Sequence, residues 1–241
     1  MRNLTEQKKK KLATKFFEYI EKYKQDNNGK YPKYSSSDFE YYTDVYMNLL
    51  VCQEGLCAYT EQYIYRYYDE FGQNKYWDNG RFIGTKLKID ADIEHYKPKV
   101  NCNQECDWEW ENLYLVPLHI NRNIKRDKPV YDFMRPDNAD YSPEKYLVYN
   151  LNTNMFVPNP ALDDDACAKV EETLETLGIN SSDTVWSNRK SKMSEYLEMS
   201  ETKEFEILKK EVKEFHTAFS LSKDVFTNYR KVEVLTKVDV N

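Results

Sequence analysis

The sequence predicts an α+β fold that is mainly helical. Apolar residues recur at helical spacing near both ends of the chain, whereas short segments in its middle alternate in the manner of strands. With 241 residues, 40% of them hydrophobic and 32% charged, the chain is long enough to bury a core and has a globular composition. We divide it into an N-terminal helical segment (1–50), a central segment (51–135) and a C-terminal hairpin and helical region (136–241).

The charge and the apolar pattern limit the partners of this chain. A net charge of −6 argues against a protein that coats nucleic acid with its whole surface, so any such contact must come from a local basic patch. The lysine-rich start has no apolar stretch behind it, and no segment approaches the roughly 18 apolar residues of a membrane span. We expect a cytoplasmic protein with no membrane contact.

The N-terminal segment begins with a predicted amphipathic helix over residues 4–26, because Leu12, Phe16 and Ile20 recur at four-residue spacing. The lysine run 8–11 is interpreted as a solvated face of this helix, with phosphate binding as the alternative.

A stretch of turn-forming residues, 27–38, then leads to a second predicted helix. We expect this helix to begin near Asp38, with Asp38 or a neighbouring serine as its N-cap, and to end before Gly55.

Residues 86–95 alternate and predict a half-buried strand that ends at His95, with Pro98 stopping it. The apolar face carries Leu87, Ile89, Ala91 and Ile93, and the polar face carries Lys88, Asp90, Asp92 and Glu94. A second strand is predicted over 110–116 and a short basic helix over 119–128. The order in this segment is strand, strand, helix.

The C-terminal region starts with a predicted hairpin over 144–157, whose turn lies at 152–154. A helix follows from about 161 and ends before Gly178, and a last helix is predicted over 200–219. The apolar seam of that last helix consists of Phe205, Leu208, Val212, Phe215 and Phe219. Packing within the chain is the favoured use of this seam, and a partner helix is the alternative.

The central segment contains residues suited to phosphodiester hydrolysis, which needs a base, a divalent cation and a cationic group near the phosphate. His95 is one of 3 histidines and is the natural base, and Glu94 is a hard oxygen ligand for Mg or Mn. Asn112 follows His95 by 17 residues, and Asn121 follows Asn112 by 9. The basic run around Asn121 comprises Arg122, Lys125, Arg126 and Lys128.

Each of these features also has a plainer interpretation. Glu94 and His95 can be an exposed polar pair, Asn112 can fix a turn, and the basic run can be a solvated helix face. Neighbours in a strand point in opposite directions, so Glu94 and His95 reach one metal only where the chain bends. Their combination in this order favours the catalytic interpretation.

The chain contains four short motifs, CAYTE (57–61), IEHYKPK (93–99), WENLYL (110–115) and NRNIKRDK (121–128). Together they resemble the signature of bacterial HNH endonucleases, in particular those of Septu-type antiphage systems and those found beside retrons. The resemblance covers about residues 50–215, including LGIN (177–180) and Arg189.

This resemblance implies a ββα-metal (HNH) nuclease core at 51–135 with N-terminal and C-terminal helices packed around it. It implies that His95 activates water, that Glu94 and Asn121 bind one Mg or Mn ion, and that Asn112 positions the loop bearing the histidine. Lys125 would lie near the phosphate. His119 and Asn123 compete with Asn121 as metal ligand, since the helix is one residue out of step with the usual spacing.

The chain departs from the family at its structural zinc site. Thr60 replaces the second cysteine of the first pair, and the later pair falls on residues such as Leu118, Pro117 or Asn121, so we expect no structural zinc. Packing by Tyr59, Leu113, Leu115 and Leu118 is the favoured replacement, and a site rebuilt on Cys102 and Cys106 is the alternative. The cysteines number 5, an odd set without a signal peptide, so we expect reduced thiols.

Three functions are compatible with this pattern. The leading one is a DNA endonuclease of antiphage defence, with an SMC/ABC-like ATPase as the partner implied by the family. The second is a noncatalytic, partner-binding subunit on an HNH scaffold. The third is a nuclease that cleaves RNA such as tRNA, which can dispense with the metal because a 2′-OH is adjacent.

Overall fold

Helices make up most of the regular structure, which confirms the predicted α+β, mainly helical class. The computed structural model describes residues 1–36, 38–101, 106–128 and 130–228. The α-helices are α1 (Thr14–Asp26), α2 (Tyr42–Cys52), α3 (Pro143–Tyr146), α4 (Asp164–Thr176), α5 (Asp183–Ser200), α6 (Phe205–Glu211) and α7 (His216–Leu221). Short 3-10 helices lie at Gln7–Lys9, Tyr68–Gly72, Asn74–Tyr76, Lys99–Asn101, Trp110–Asn112 and Asp132–Met134.

The strands of the described ranges pair in antiparallel twos. The pairs are β1 (Trp77–Asp78) with β2 (Arg81–Phe82), β3 (Ala91–His95) with β4 (Leu113–Pro117), and β5 (Leu147–Asn150) with β6 (Met155–Pro158). Such small sheets are stable only when other elements cover them.

Contacts along the chain define two compact units. The first comprises residues 3–59 and 63–141, and the second comprises residues 1–2, 60–62 and 142–241. Most of the N-terminal helical segment and of the predicted nuclease segment therefore belong to the same unit.

The first unit is built around α2, which is buried along almost its whole length, including its polar residues Asp44 and Asn48. Phe16 and Ile20 of α1 belong to the same core. The predicted helix over 4–26 is wrong in its first part, because α1 begins at Thr14. Asn48 explains the difference: its side-chain oxygen accepts hydrogen bonds from the backbone N–H groups of Leu12 (2.9 Å) and Ala13 (3.1 Å).

Lys8 corrects the interpretation of the lysine run as a solvated face. Its side chain is only 4% exposed, and its ammonium lies 2.7 Å from Asp137. The same ammonium donates to the backbone oxygens of Trp110 (2.6 Å) and Leu113 (3.1 Å). Lys8 is therefore a buried cation that joins the N-terminal segment to the start of β4.

Two further predicted elements extend beyond the observed ones. The helix expected from Asp38 begins at Tyr42, because Asp38 instead lies in a turn in which its N–H donates to the Ser35 hydroxyl (3.2 Å). The strand expected over 86–95 is restricted to Ala91–His95, the part that β4 pairs with.

The hairpin of β3 and β4 pairs His95 with Leu113 and Ala91 with Pro117. Directly after β4 the chain forms a π-helix, Ile120–Lys125, which is shorter than the basic helix predicted over 119–128. The predicted order of strand, strand and helix is present in this unit.

In the second unit, the predicted hairpin is confirmed as β5 and β6, with its turn between Asn150 and Met155. Helix α4 ends at Thr176, and Gly178 follows with a φ of 69°, the left-handed backbone that favours glycine after a helix.

The single helix predicted over 200–219 is wrong, since α6 and α7 are separated and Phe215 between them has a φ of 52°. Its apolar seam packs within the unit: Phe205 stacks on Phe219 with 4.8 Å between ring centroids, and Leu208 is fully buried. In the part of the chain that the structure describes, no helix combines the length and apolar character needed to cross a bilayer.

Candidate active site

A cavity of about 190 Å³ lies at the end of β3 in the first unit. Its wall includes Tyr34, Asp92, Glu94, His95, Lys99, Asn121, Arg126 and Asp127. The structure thus brings together four residues that were predicted to act in one site, Glu94, His95, Asn121 and Arg126, with two further carboxylates that were not.

His95 is oriented by a backbone carbonyl. Its Nε2 lies 2.7 Å from the backbone oxygen of Asp107, and because a carbonyl only accepts, Nε2 carries the proton and Nδ1 is left as an acceptor. The side chain is 7% exposed, and this burial lowers the pKa of His95 to about 4. The imidazole is therefore neutral at pH 7, the form in which it can take a proton.

Tyr34 and Asp107 support the histidine, and the sequence interpretation missed both. The Tyr34 ring meets the His95 ring edge-on with 4.6 Å between centroids, and it stacks on Trp108. A carboxylate oxygen of Asp107 accepts the backbone N–H of Tyr34 (2.9 Å). Asp107 therefore holds the histidine with its carbonyl and the tyrosine with its carboxylate, across 73 residues of sequence that no local pattern links.

Glu94 is buried beside a cation. Lys125 Nζ lies 2.6 Å from Glu94 Oε1, with exposed fractions of 0% and 2% for the two side chains, and the Tyr59 hydroxyl donates to Oε2. Burial raises the pKa of Glu94, and the neighbouring Lys125 opposes that rise. The side chains of Glu94 and His95 therefore contact different partners, as expected for neighbours in a strand, although both border the cavity.

Lys125 corrects one prediction about the basic run, in which it was grouped with surface residues that contact phosphate. Its ammonium is fully buried and, besides the Glu94 contact, donates to the backbone oxygen of His95 (2.8 Å). The exposed members of the run are Arg122, Arg126 and Lys128. Arg122 is 64% exposed, with Nη2 3.3 Å from Asp92.

Asn112 connects the chain after His95 to the start of β4. Its side-chain oxygen accepts the backbone N–H of Lys97 (2.7 Å), and its side-chain nitrogen donates to the Lys97 carbonyl (3.1 Å). These paired bonds hold the segment that follows the histidine, the geometry that a loop-positioning residue requires.

The segment that carries Asn121 is a π-helix, Ile120–Lys125. A π turn closes its hydrogen bonds one residue later than an α turn, and such turns are frequent at functional sites. Asn121, at its start, contributes to the cavity wall. Of the two competing ligands, Asn123 is exposed and His119 is partly buried just before the turn.

Arg126 follows the π-helix with strained backbone angles, a φ of 50° and a ψ of −129°, which only glycine adopts readily. We expect Arg126→Gly to raise the free energy of unfolding by about 1 kcal/mol, because the relieved strain exceeds the added entropy of glycine in the unfolded chain. The same change should weaken oligonucleotide binding and lower its salt dependence by about one charge. Thermal unfolding and fluorescence anisotropy measure the two effects.

Arg126→Ala is the matched control, since it removes the same charge but keeps a Cβ at the strained position. We expect it to weaken binding equally without stabilising the chain. Equal stability of the two variants would contradict the strain argument, and unchanged binding in both would remove Arg126 from the nucleic-acid contact.

Cysteines do not form a metal centre in the described ranges. Cys106 is disulfide-bonded, so the expectation of reduced thiols is wrong at this residue, whereas Cys52 and Cys57 are buried free thiols. Burial raises the pKa of the Cys52 thiol to about 12, which disfavours the thiolate that binds zinc. Cys102 lies outside the described residues.

The cavity wall carries the side-chain oxygens of Asp92, Glu94, Asn121 and Asp127, the atom type that hard cations such as Mg²⁺ take as ligands. Among the residues described, no three His, Cys, Asp or Glu side chains cluster as a metal site would require. Mg²⁺, however, is often held by one or two protein oxygens together with water and substrate phosphate. Both oxygens of the buried Glu94 carboxylate already have partners, the Lys125 ammonium at Oε1 and the Tyr59 hydroxyl at Oε2, so a cation at Glu94 would have to replace one of them.

Comparison with models of known protein families and with curated proteins finds no match for this chain. The likeness to HNH nucleases therefore rests on the four sequence motifs.

Proposed function

We propose that this chain is an HNH-type endonuclease that hydrolyses DNA phosphodiesters with one divalent cation, Mg or Mn. The observation that carries the proposal is the cavity at the end of β3, where a neutral, oriented His95 lies beside the side-chain oxygens of Glu94 and Asn121 and beside the exposed Arg126. The four motifs add the functional context, an effector of antiphage defence with an SMC/ABC-like ATPase as partner.

His95 acts as the general base in this proposal. Its Nδ1 accepts the proton of the attacking water, while the Asp107 carbonyl keeps Nε2 protonated and fixes the ring. The edge-on contact with Tyr34 restricts rotation of the ring, so the acceptor nitrogen stays directed at one position. Asn112 holds the adjoining backbone.

The exposed cations bind the phosphate backbone. Arg126 and Lys99 border the cavity, where each can contact a substrate phosphate beside the carboxylates of Asp92 and Asp127. In a chain of net charge −6, such a local group of cations is the surface that can bind an anionic polymer such as DNA.

The divalent cation would be held by Glu94 and Asn121. When bound, it would stabilise the negative charge that develops on the phosphate and on the leaving oxygen.

The experiment is cleavage of supercoiled plasmid DNA by the purified chain with Mg²⁺ or Mn²⁺, with and without EDTA. We expect nicked and linear DNA in the presence of either ion and intact DNA in EDTA. Plasmid that stays intact with both ions would reject the isolated chain as a DNA nuclease, and cutting that EDTA does not affect would reject the metal requirement.

A second candidate is cleavage of RNA, favoured by the Lys125 ammonium beside Glu94, because an RNA substrate with a 2′-OH nucleophile needs no metal. The same assay with a structured RNA and its 2′-deoxy counterpart separates the candidates. Cleavage of the RNA alone, undiminished by EDTA, would favour the second function over the first.

A further inference from the structure

We propose that Lys125 competes with the divalent cation for Glu94, so that the free chain binds the cation weakly and cation binding releases a lysine that is otherwise buried. This inference rests on the proposed function, because it concerns the cation that the proposed nuclease uses. It assigns Lys125 a role as an internal counter-ion in place of the surface phosphate contact.

The contacts of the Lys125 ammonium resemble those of a small cation. It lies 2.6 Å from Glu94 Oε1 and 2.8 Å from the backbone oxygen of His95, two hard oxygen donors of the kind that Mg²⁺ prefers. The side chain is fully buried, and Glu94 is 2% exposed. Water therefore screens this pair weakly, and the attraction between its charges is strong.

Two cations cannot share one buried carboxylate oxygen without strong repulsion. The other oxygen of Glu94, Oε2, accepts the Tyr59 hydroxyl. A divalent cation that binds Glu94 through Oε1 must displace the Lys125 ammonium and break a buried ion pair, which lowers the affinity of the free chain for the ion. The displaced ammonium in turn requires a new anionic partner, since an unpaired buried charge is costly. A substrate phosphate in the cavity supplies that partner, so cation and nucleic acid bind cooperatively.

Lys8 offers a matched control for Lys125. It is the same residue type in the same unit, is 4% exposed, and forms an ion pair of 2.7 Å with Asp137. Asp137 keeps a second cation after the loss of Lys8, because Arg135 Nε lies 2.8 Å from its other oxygen. Removal of Lys8 thus deletes a buried lysine without exposing an uncompensated carboxylate at the cavity.

The first experiment is calorimetric titration of Mn²⁺, without nucleic acid, into the wild-type chain, Lys125→Met and Lys8→Met. We expect Lys125→Met to bind Mn²⁺ at least about tenfold more tightly than wild type, because no ammonium then competes with the ion for the Glu94 carboxylate. Lys8→Met should bind as wild type does. Equal or weaker affinity in Lys125→Met would overturn the proposal, as would an equal gain in both variants.

A second measurement needs no substitution and covers the case in which Lys125→Met does not fold. Reductive methylation of the wild-type chain, read by mass spectrometry, reports which amines are accessible. We expect Lys125 to be protected without metal and modified in Mg²⁺, whereas exposed Lys128 reacts in both conditions. Protection of Lys125 at every Mg²⁺ concentration would overturn the proposal.

The outcomes separate this inference from the proposed function, because binding is measured without cleavage. If Lys125→Met binds Mn²⁺ more tightly than wild type but the chain cuts no nucleic acid, the competition for Glu94 is supported and the nuclease function is rejected. If the chain cuts DNA but Lys125→Met binds Mn²⁺ with wild-type affinity, the nuclease function is supported and the competition for Glu94 is rejected.

Discussion

Replacement of His95 by alanine should lower the rate of DNA cleavage by roughly 10²–10⁴-fold, the usual contribution of a general base. The change deletes Nδ1, the acceptor that the Asp107 carbonyl leaves available by holding Nε2. Single-turnover cleavage of plasmid DNA in Mg²⁺ measures the effect independently of product release.

His95→Ala also removes the partner of the buried Asp107 carbonyl, so a loss of about 1–3 kcal/mol in unfolding free energy is expected beside the loss of rate. Thermal unfolding must therefore accompany the kinetics, and cleavage is compared at a temperature at which both chains are folded. His216→Ala is the control, since His216 lies in the second unit, where its Nδ1 is 3.4 Å from the Ser220 hydroxyl.

His216→Ala should cleave at the wild-type rate. A folded His95→Ala chain that cleaves as fast as wild type would remove His95 from the chemistry, and with it the catalytic assignment of the cavity.

Replacement of Arg189 by leucine should destabilise the second unit by roughly 2–6 kcal/mol, from two buried acceptors at about 1–3 kcal/mol each. Arg189 is fully buried. Its Nη1 donates to the Ile179 carbonyl and its Nη2 to the Asn154 carbonyl, both at 2.7 Å, and its guanidinium lies over the Phe156 ring. One side chain thus joins the turn after α4 to the turn of the β5–β6 hairpin.

Urea unfolding followed by circular dichroism measures this loss. Lys190→Leu is the matched control, because the neighbouring side chain is exposed and its replacement should change stability by less than about 0.5 kcal/mol. Arg189→Lys keeps the charge but not the planar fork that reaches two carbonyls, so its stability should fall between wild type and Arg189→Leu. Stability equal to that of the control in Arg189→Leu would contradict this account.

Local patterns determined the elements that depend on nearby residues. The hairpin of β5 and β6 was predicted from alternation around a turn, and the end of α4 was predicted from Gly178, because turn chemistry and helix termination act over a few residues. The order of strand, strand and helix was likewise predicted, together with four residues that the structure brings to one cavity.

The single helix predicted over 200–219 shows where periodicity misleads. Phe205, Leu208 and Phe219 keep a helical rhythm although the chain breaks at Phe215, since α6 and α7 both turn their apolar sides to the same core. Apolar residues at helical spacing indicate which side chains are buried, but they do not indicate whether one unbroken helix carries them.

The sequence by itself determined the fold class, the β5–β6 hairpin and the identity of His95, Glu94 and Asn121 as candidate site residues. Only the tertiary structure decided which charges are buried: Lys8 with Asp137, and Lys125 with Glu94. The local sequence around a lysine does not distinguish a solvated side chain from a buried one. Burial depends instead on a partner carboxylate distant along the chain, 129 residues away for Lys8 and 31 for Lys125, and only the fold brings such partners together.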